Sequence, residues 1–117
     1  MTYKELRIGN YILQDGEEIH GIVGLTIYKF SIGQIILEPI PITEEWLLKF
    51  GFEKNAIGFW WRKHPNPKSR DNWDGWYLNK DGELTISLGP IFVRIQYIHQ
   101  LQNLFFTLTG KELIINN

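Results

Sequence analysis

The stretch Glu83-Leu-Thr-Ile-Ser-Leu-Gly-Pro-Ile-Phe-Val-Arg-Ile95, continuing as Gln96-Tyr-Ile-His-Gln-Leu-Gln-Asn-Leu-Phe-Phe-Thr-Leu-Thr-Gly110, decides the fold class. Up to Ile95 it reads as two strands, Glu83 to Leu88 and Ile91 to Ile95, joined through Gly89-Pro90. From Gln96 the period changes: Tyr97, Ile98, Leu101, Leu104, Phe105 and Leu108 recur at helical spacing, and Gly110 supplies the stop. A hairpin that runs straight into such a helix predicts an α+β protein in which the C-terminal helix packs on an antiparallel sheet. The polar side of the helix, His99, Gln100, Gln102, Asn103 and Thr107, carries no charge, and an uncharged amide face can contact a partner.

Upstream, Phe59 to Lys63 and Trp76 to Asn79 extend the hairpin to a four-stranded meander, with Lys80-Asp81-Gly82 as the turn before Glu83. His64 to Gly75, a loop of about a dozen residues, exceeds a typical hairpin connection and is a place to look for function. A short helix is expected after Thr43, a good N-cap, with Glu44 and Glu45 in its first turn and Ile42 stapled onto Leu47. Gly51-Phe52 matches its Schellman ending.

From Gly9 to Leu37 the pattern reads as strands. Asp15-Gly16 is a hairpin signal; Ile19, Gly21, Val23, Leu25 and Ile27 alternate on one face. The apolar parity then shifts to Tyr28, Phe30 and Ile32, which implies a turn or bulge near residue 27, and Gln34 to Glu38 reads as a further strand. The expectation is a curled, SH3-like antiparallel sheet. Glu112 to Ile115 reads as a final strand. The whole is read as one domain, 1–117, with 1–41 and 42–117 as candidate sub-lobes.

Composition bounds the function. A chain of 117 residues, 44% hydrophobic, can bury one real core. Zero cysteine excludes disulfides and thiolate metal sites and is the ordinary pattern of a reducing cytoplasm. The N-terminus lacks the apolar region of a signal peptide, and no run approaches the roughly 18 apolar residues of a membrane span. A cytoplasmic protein without a membrane partner is expected. The net charge is −1, with residues 1–58 at −3 and 59–117 at +2, a weak balance for a protein that relies on phosphate contacts.

No reaction is legible. Ser31, Ser69 and Ser87 show no nucleophile elbow. His20, His64 and His99 lack metal-motif spacing and read as surface or hydrogen-bonded structure. Glu17-Glu18 borders a turn and Glu44-Glu45 opens a helix, so both pairs have structural reasons. No phosphate loop is present. No cofactor and no metal is implied, and the chain reads as a non-enzyme. An enzyme built on His64 with Asp71 or Asp74 is the least supported alternative.

The most informative surface signal is Phe59 to Tyr77, with four of the five tryptophans and, up to Arg70, four cationic side chains without an acid. Aromatic faces beside cations can stack a ring while neutralising an anion, which makes Trp60, Trp61, Arg62, Lys63, Arg70, Trp73 and Trp76 candidate binding residues. The structural reading is that alternate aromatics build the core. Strand alternation puts Trp60 and Arg62 on one face and Phe59, Trp61 and Lys63 on the other, so one of Trp60 and Trp61 faces away from the core.

Three blocks carry a resemblance: Leu6-Arg-Ile-Gly-Asn-Tyr11, Glu38-Pro-Ile-Pro-Ile-Thr-Glu-Glu-Trp-Leu-Leu-Lys-Phe-Gly-Phe52, and Tyr97 to Leu113. With them the chain resembles a family of small uncharacterised proteins from the genomes, phages and mobile elements of Bacteroides-type bacteria. The resemblance skips Phe59 to Ile95, and it implies a bacterial or phage setting but no catalytic residue. The expected function is a binding or adaptor module for a protein or a small anionic ligand, with single-stranded nucleic acid as the alternative partner, through Arg62, Lys63, Lys68 and Arg70. An exposed aromatic patch could equally serve a homodimer.

Overall fold

Two antiparallel sheets and three α-helices are formed by the residues that a computed structural model describes, 1–63, 73–88 and 90–115; the side chains at 73, 74 and 88 lie outside that description. A 3-10 turn at Tyr3–Glu5 is followed by β1 (Tyr11–Gln14) and β2 (Glu17–His20), paired through an Asp15-Gly16 turn in which both residues have positive φ, +51° and +84°. That is the left-handed pair a two-residue hairpin requires. β3 (Leu37–Glu38) adds to the other side of β1, giving the order β2-β1-β3.

Between β2 and β3 the strand reading fails: Gly24–Ser31 is a helix, α1. The parity shift at Ile27 is the trace of a 3.6-residue period, with Ile27 and Phe30 turned to a small cluster around Ile12, Ile22 and Leu37, and Leu25, Tyr28 and Ile32 turned to solvent. Gly33, at φ +77°, is the helix stop. Its N–H donates to Phe30 O and that of Gln34 to Lys29 O, a Schellman ending.

α2 (Glu44–Lys49) forms as its caps require, with Thr43 Oγ1 accepting from Trp46 N at 3.3 Å and Phe52 N donating to Leu47 O at 3.0 Å. The second sheet has five strands in chain order: β4 (Glu53–Lys54), β5 (Trp60–Arg62), β6 (Trp73–Leu78), β7 (Leu84–Leu88) and β8 (Ile91–Ile95). β4 was not foreseen: two charged residues carry no strand period. β6 begins at Trp73, inside the stretch read as loop; the rest of that loop, with His64, Lys68, Arg70 and Asp71, lies outside the described residues.

α3 (Ile98–Thr109) ends at Gly110 with φ +72° and packs Ile98, Leu101 and Phe105 against the inner face of this sheet. The main core joins them to Leu47, Phe50 and Phe52 from the α2 region and to Trp60, Trp76, Leu84, Ile86 and Ile95 from the strands. Tyr11 reaches this core while Ile12, its neighbour on β1, sits in the smaller cluster, so one strand serves both. The expected final strand is absent: Glu112–Ile115 forms no ladder, although Leu113 is buried. No described helix is long and apolar enough to cross a membrane.

Candidate functional site

The aromatic pattern of β5 and β6 divides between the two faces of the sheet. Trp60 and Trp76 are register partners, each 2% exposed, and Trp76 lies 5.2 Å from the Phe52 ring. Two indoles held opposite one another on the inner face are core, so Trp60 and Trp76 present nothing to a ligand; expecting both as contact residues is corrected by burial.

Arg62 shares that inner face. Its guanidinium stands 5.1 Å from the Phe105 ring and 5.9 Å from Phe52, with Nε donating to Phe50 O at 3.1 Å and Nη1 to Lys63 O at 3.1 Å. Phe50 O belongs to the C-terminal end of α2, where the helix dipole favours a cation. Burial lowers the guanidinium pKa from its ordinary value. The side chain ties the sheet to α2, and the hydrogen bonds from Nε and Nη1 go to the chain's own carbonyls. Lys63 is exposed; Arg70 and the Trp73 side chain lie outside the described residues.

Trp61 points the other way, opposite Glu53, and is only partly buried. Because Trp60, Trp76, Leu84, Ile86 and Ile95 fix the inner face, alternation turns Phe59, Trp61, Tyr77, Thr85, Ser87, Phe92 and Arg94 outward. Phe59 and Tyr77 are 6.0 Å apart, ring to ring. Tyr77 is 48% and Phe92 69% exposed. Across the strands Tyr77 faces Thr85, Thr85 faces Arg94, and Ser87 faces Phe92. Arg94 Nε lies 3.9 Å from Glu83 Oε1. The outer face is aromatic and hydroxylic, with its arginine next to a carboxylate. Sequence reasoning named Trp61 but missed Tyr77 and Phe92, although the alternation around Ile86 and Ile95 carried the signal.

The uncharged face of α3 is occupied from within. Gln102, fully buried, accepts from Tyr11 N at 2.7 Å and donates to Leu113 O at 3.1 Å. Asn103 accepts from Asn10 Nδ2 at 2.8 Å and donates to Glu5 O at 2.9 Å. Arg7 stacks over Phe106 at 4.3 Å and pairs with Glu112. The partner of that amide face is the chain's own N-terminal segment, which corrects its reading as a docking surface. His20 lies against Glu18 at 3.1 Å and stacks on Tyr11, and His99 against Glu5. Among the described residues no three His, Asp or Glu are placed to hold a metal ion.

These features define an α+β protein whose five-stranded sheet is covered by helices on one face and bears exposed aromatics on the other. Comparison of the chain with protein-family models, with curated proteins and with solved structures finds no match in any of the three.

Proposed function

We propose that this protein is a non-enzymatic binding or adaptor module that takes a protein partner on the outer face of β5–β8. The observation that supports it is the exposure of Tyr77 and Phe92 on a sheet face that no described helix covers. Solvent-facing aromatics on a rigid strand scaffold offer large contact area at low entropy cost, which is why such residues concentrate at protein interfaces. A small anionic ligand is less suited to this surface. Arg62 is engaged internally, and Arg94 Nε lies 3.9 Å from Glu83 Oε1, which weakens its pull on an anion. The resemblance of Leu6–Tyr11, Glu38–Phe52 and Tyr97–Leu113 supports a phage or mobile-element setting in a bacterial cytoplasm.

Single-stranded nucleic acid is the second reading, because outward aromatics on an antiparallel sheet can stack bases. The charges on and beside the face are two carboxylates, Glu53 and Glu83, against two cations, Arg94 and Lys63, a net-neutral set that favours the protein partner, since phosphate contacts need an excess of cations.

One experiment separates them. The wild-type chain and the variants Tyr77→Ser, Trp61→Ser and Ile57→Ser, the last at an exposed position in the turn between β4 and β5, are used as baits in lysate of a phage-bearing host and titrated with oligothymidylate. A protein recovered by wild type and Ile57→Ser but lost from the other two supports the adaptor reading. Oligonucleotide binding that weakens steeply with salt replaces it with the nucleic-acid reading.

A further inference from the structure

β8 is an end strand of the five-stranded sheet, paired on one side with β7 from Leu84↔Ile95 to Leu88↔Ile91. On its other side Ile42 N donates to Gln96 O at 2.9 Å. Backbone groups two residues apart along a strand point the same way, so the N–H and C=O of Arg94 and Phe92 also point to that outer edge. Just past β8 residues 40–42 bridge this edge at Tyr97, with Ile98 N donating to Ile40 O at 2.8 Å; among the described residues no strand pairs with the edge at Phe92 and Arg94, and Ile91 is 62% exposed.

The remaining sheet edges are blunted. β2 opens with Glu17-Glu18, β3 is Leu37–Glu38, and β4 is Glu53–Lys54, each short or charged as unpaired edges usually are. β8, Ile-Phe-Val-Arg-Ile, is five residues long with four apolar side chains.

We propose that β8 is a self-association edge, on which a second copy of the chain pairs antiparallel about a twofold axis beside Val93. The sequence is complementary to itself in this register. Phe92 falls opposite Arg94 of the second copy, and Arg94 opposite its Phe92, so each pair exchanges two N–H···O bonds through the groups that point outward. On the outer face each Phe92 ring then meets the guanidinium of the other copy's Arg94. On the inner face Ile91 lies opposite Ile95, and Val93 meets its own counterpart. The window closes by itself, at Pro90, which has no N–H, and at Gln96, already bonded to Ile42. The occupant is a second copy rather than a foreign strand because this complementarity is internal to five residues. The inference uses the strand edge and shares Phe92 with the outer-face binding reading, but its test reads self-association without any partner, so the two fail separately.

A five-residue edge is smaller than a stable dimer interface, so association should be concentration-dependent, rising between about 10 μM and about 500 μM. Sedimentation velocity of the full chain should show the mass moving toward the dimer over that range. Amide exchange at Phe92 and Arg94 should slow about tenfold in parallel while Val93, bonded to β7, stays unchanged. Arg94→Pro removes an outward N–H without breaking the β7 ladder and should leave a monomer. Phe92→Lys sets like charges opposite one another and should weaken association about tenfold, whereas Phe92→Glu, facing Arg94 of the second copy, should keep it. A wild-type chain that stays monomeric at about 500 μM overturns the proposal. So does a dimer that Phe92→Lys leaves intact, or equal behaviour of the Lys and Glu variants; these two surface substitutions decide the matter even if Arg94→Pro does not fold.

Discussion

His99 Nε2 lies 3.3 Å from Glu5 Oε1, joining the buried start of α3 to the 3-10 turn at the opposite end of the sequence. A carboxylate only accepts, so Nε2 carries the proton, and Nδ1, buried, has no hydrogen-bond partner among the described residues. The imidazole is 1% exposed. Protonating Nδ1 would create a buried N–H without an acceptor.

Acid should therefore loosen this contact. Burial pushes the His99 pKa below its ordinary value, with Glu5 opposing through its hydrogen bond and charge and the Met1 amino group acting with burial. The unfolded chain takes up the proton first, so the His99 contribution is full above the ordinary histidine pKa and is lost as pH falls below it toward the folded value. Glu5, lowered chiefly by the hydrogen bond from Thr2 N, adds a loss in the same direction below the ordinary carboxylate range. Thermal melting between pH 8 and pH 5 should show a falling Tm that flattens in His99→Gln. An unchanged slope in that variant would remove His99 as the source.

Gln102→Leu should destabilise the fold by about 2–4 kcal/mol, because the Tyr11 N–H and the Leu113 carbonyl lose their buried partner together. Urea unfolding measures it. An effect near zero would mean that the N-terminal segment docks on α3 without its amide lattice.

The two faces of β6 should respond oppositely to truncation. Trp76→Ala leaves a cavity in the core and should cost about 3–5 kcal/mol, while Tyr77→Ala, outward by one residue, should cost under about 1 kcal/mol. Paired denaturation curves test the assignment of the faces on which the proposed contact surface depends.

Gly33→Ala should cost about 1 kcal/mol, read by thermal melting. A Cβ at Gly33 meets no atom within 4 Å, so the loss comes from the left-handed φ of +77° that the α1 ending needs. No change would argue that residues 24–31 do not end in this turn.

The helix stops show how near the sequence came to the N-terminal fold. The same Schellman logic that placed the end of α2 at Gly51-Phe52 was present at Gly33-Gln34, yet alternation across Ile19–Ile27 suggested strands. In a short run of apolar residues periods of 2 and 3.6 overlap, and only the tertiary contacts of Ile27 and Phe30 with the small cluster separate them. The candidate site divides in the same way. Alternation required Trp60 and Trp61 to face opposite sides, but which side was core depended on where α2 and α3 lie.

The sequence by itself determined the α+β class, the antiparallel meander, the long C-terminal helix and the caps of α2, because period, turn chemistry and capping are local. Only the tertiary structure decided that Trp60 and Trp76 are core, that Arg62 clamps α2, that the amide face of α3 holds residues 5 to 11, and that Tyr77 and Phe92 look outward. Those outcomes rest on which face of a sheet a distant helix covers, a long-range choice written in no single segment.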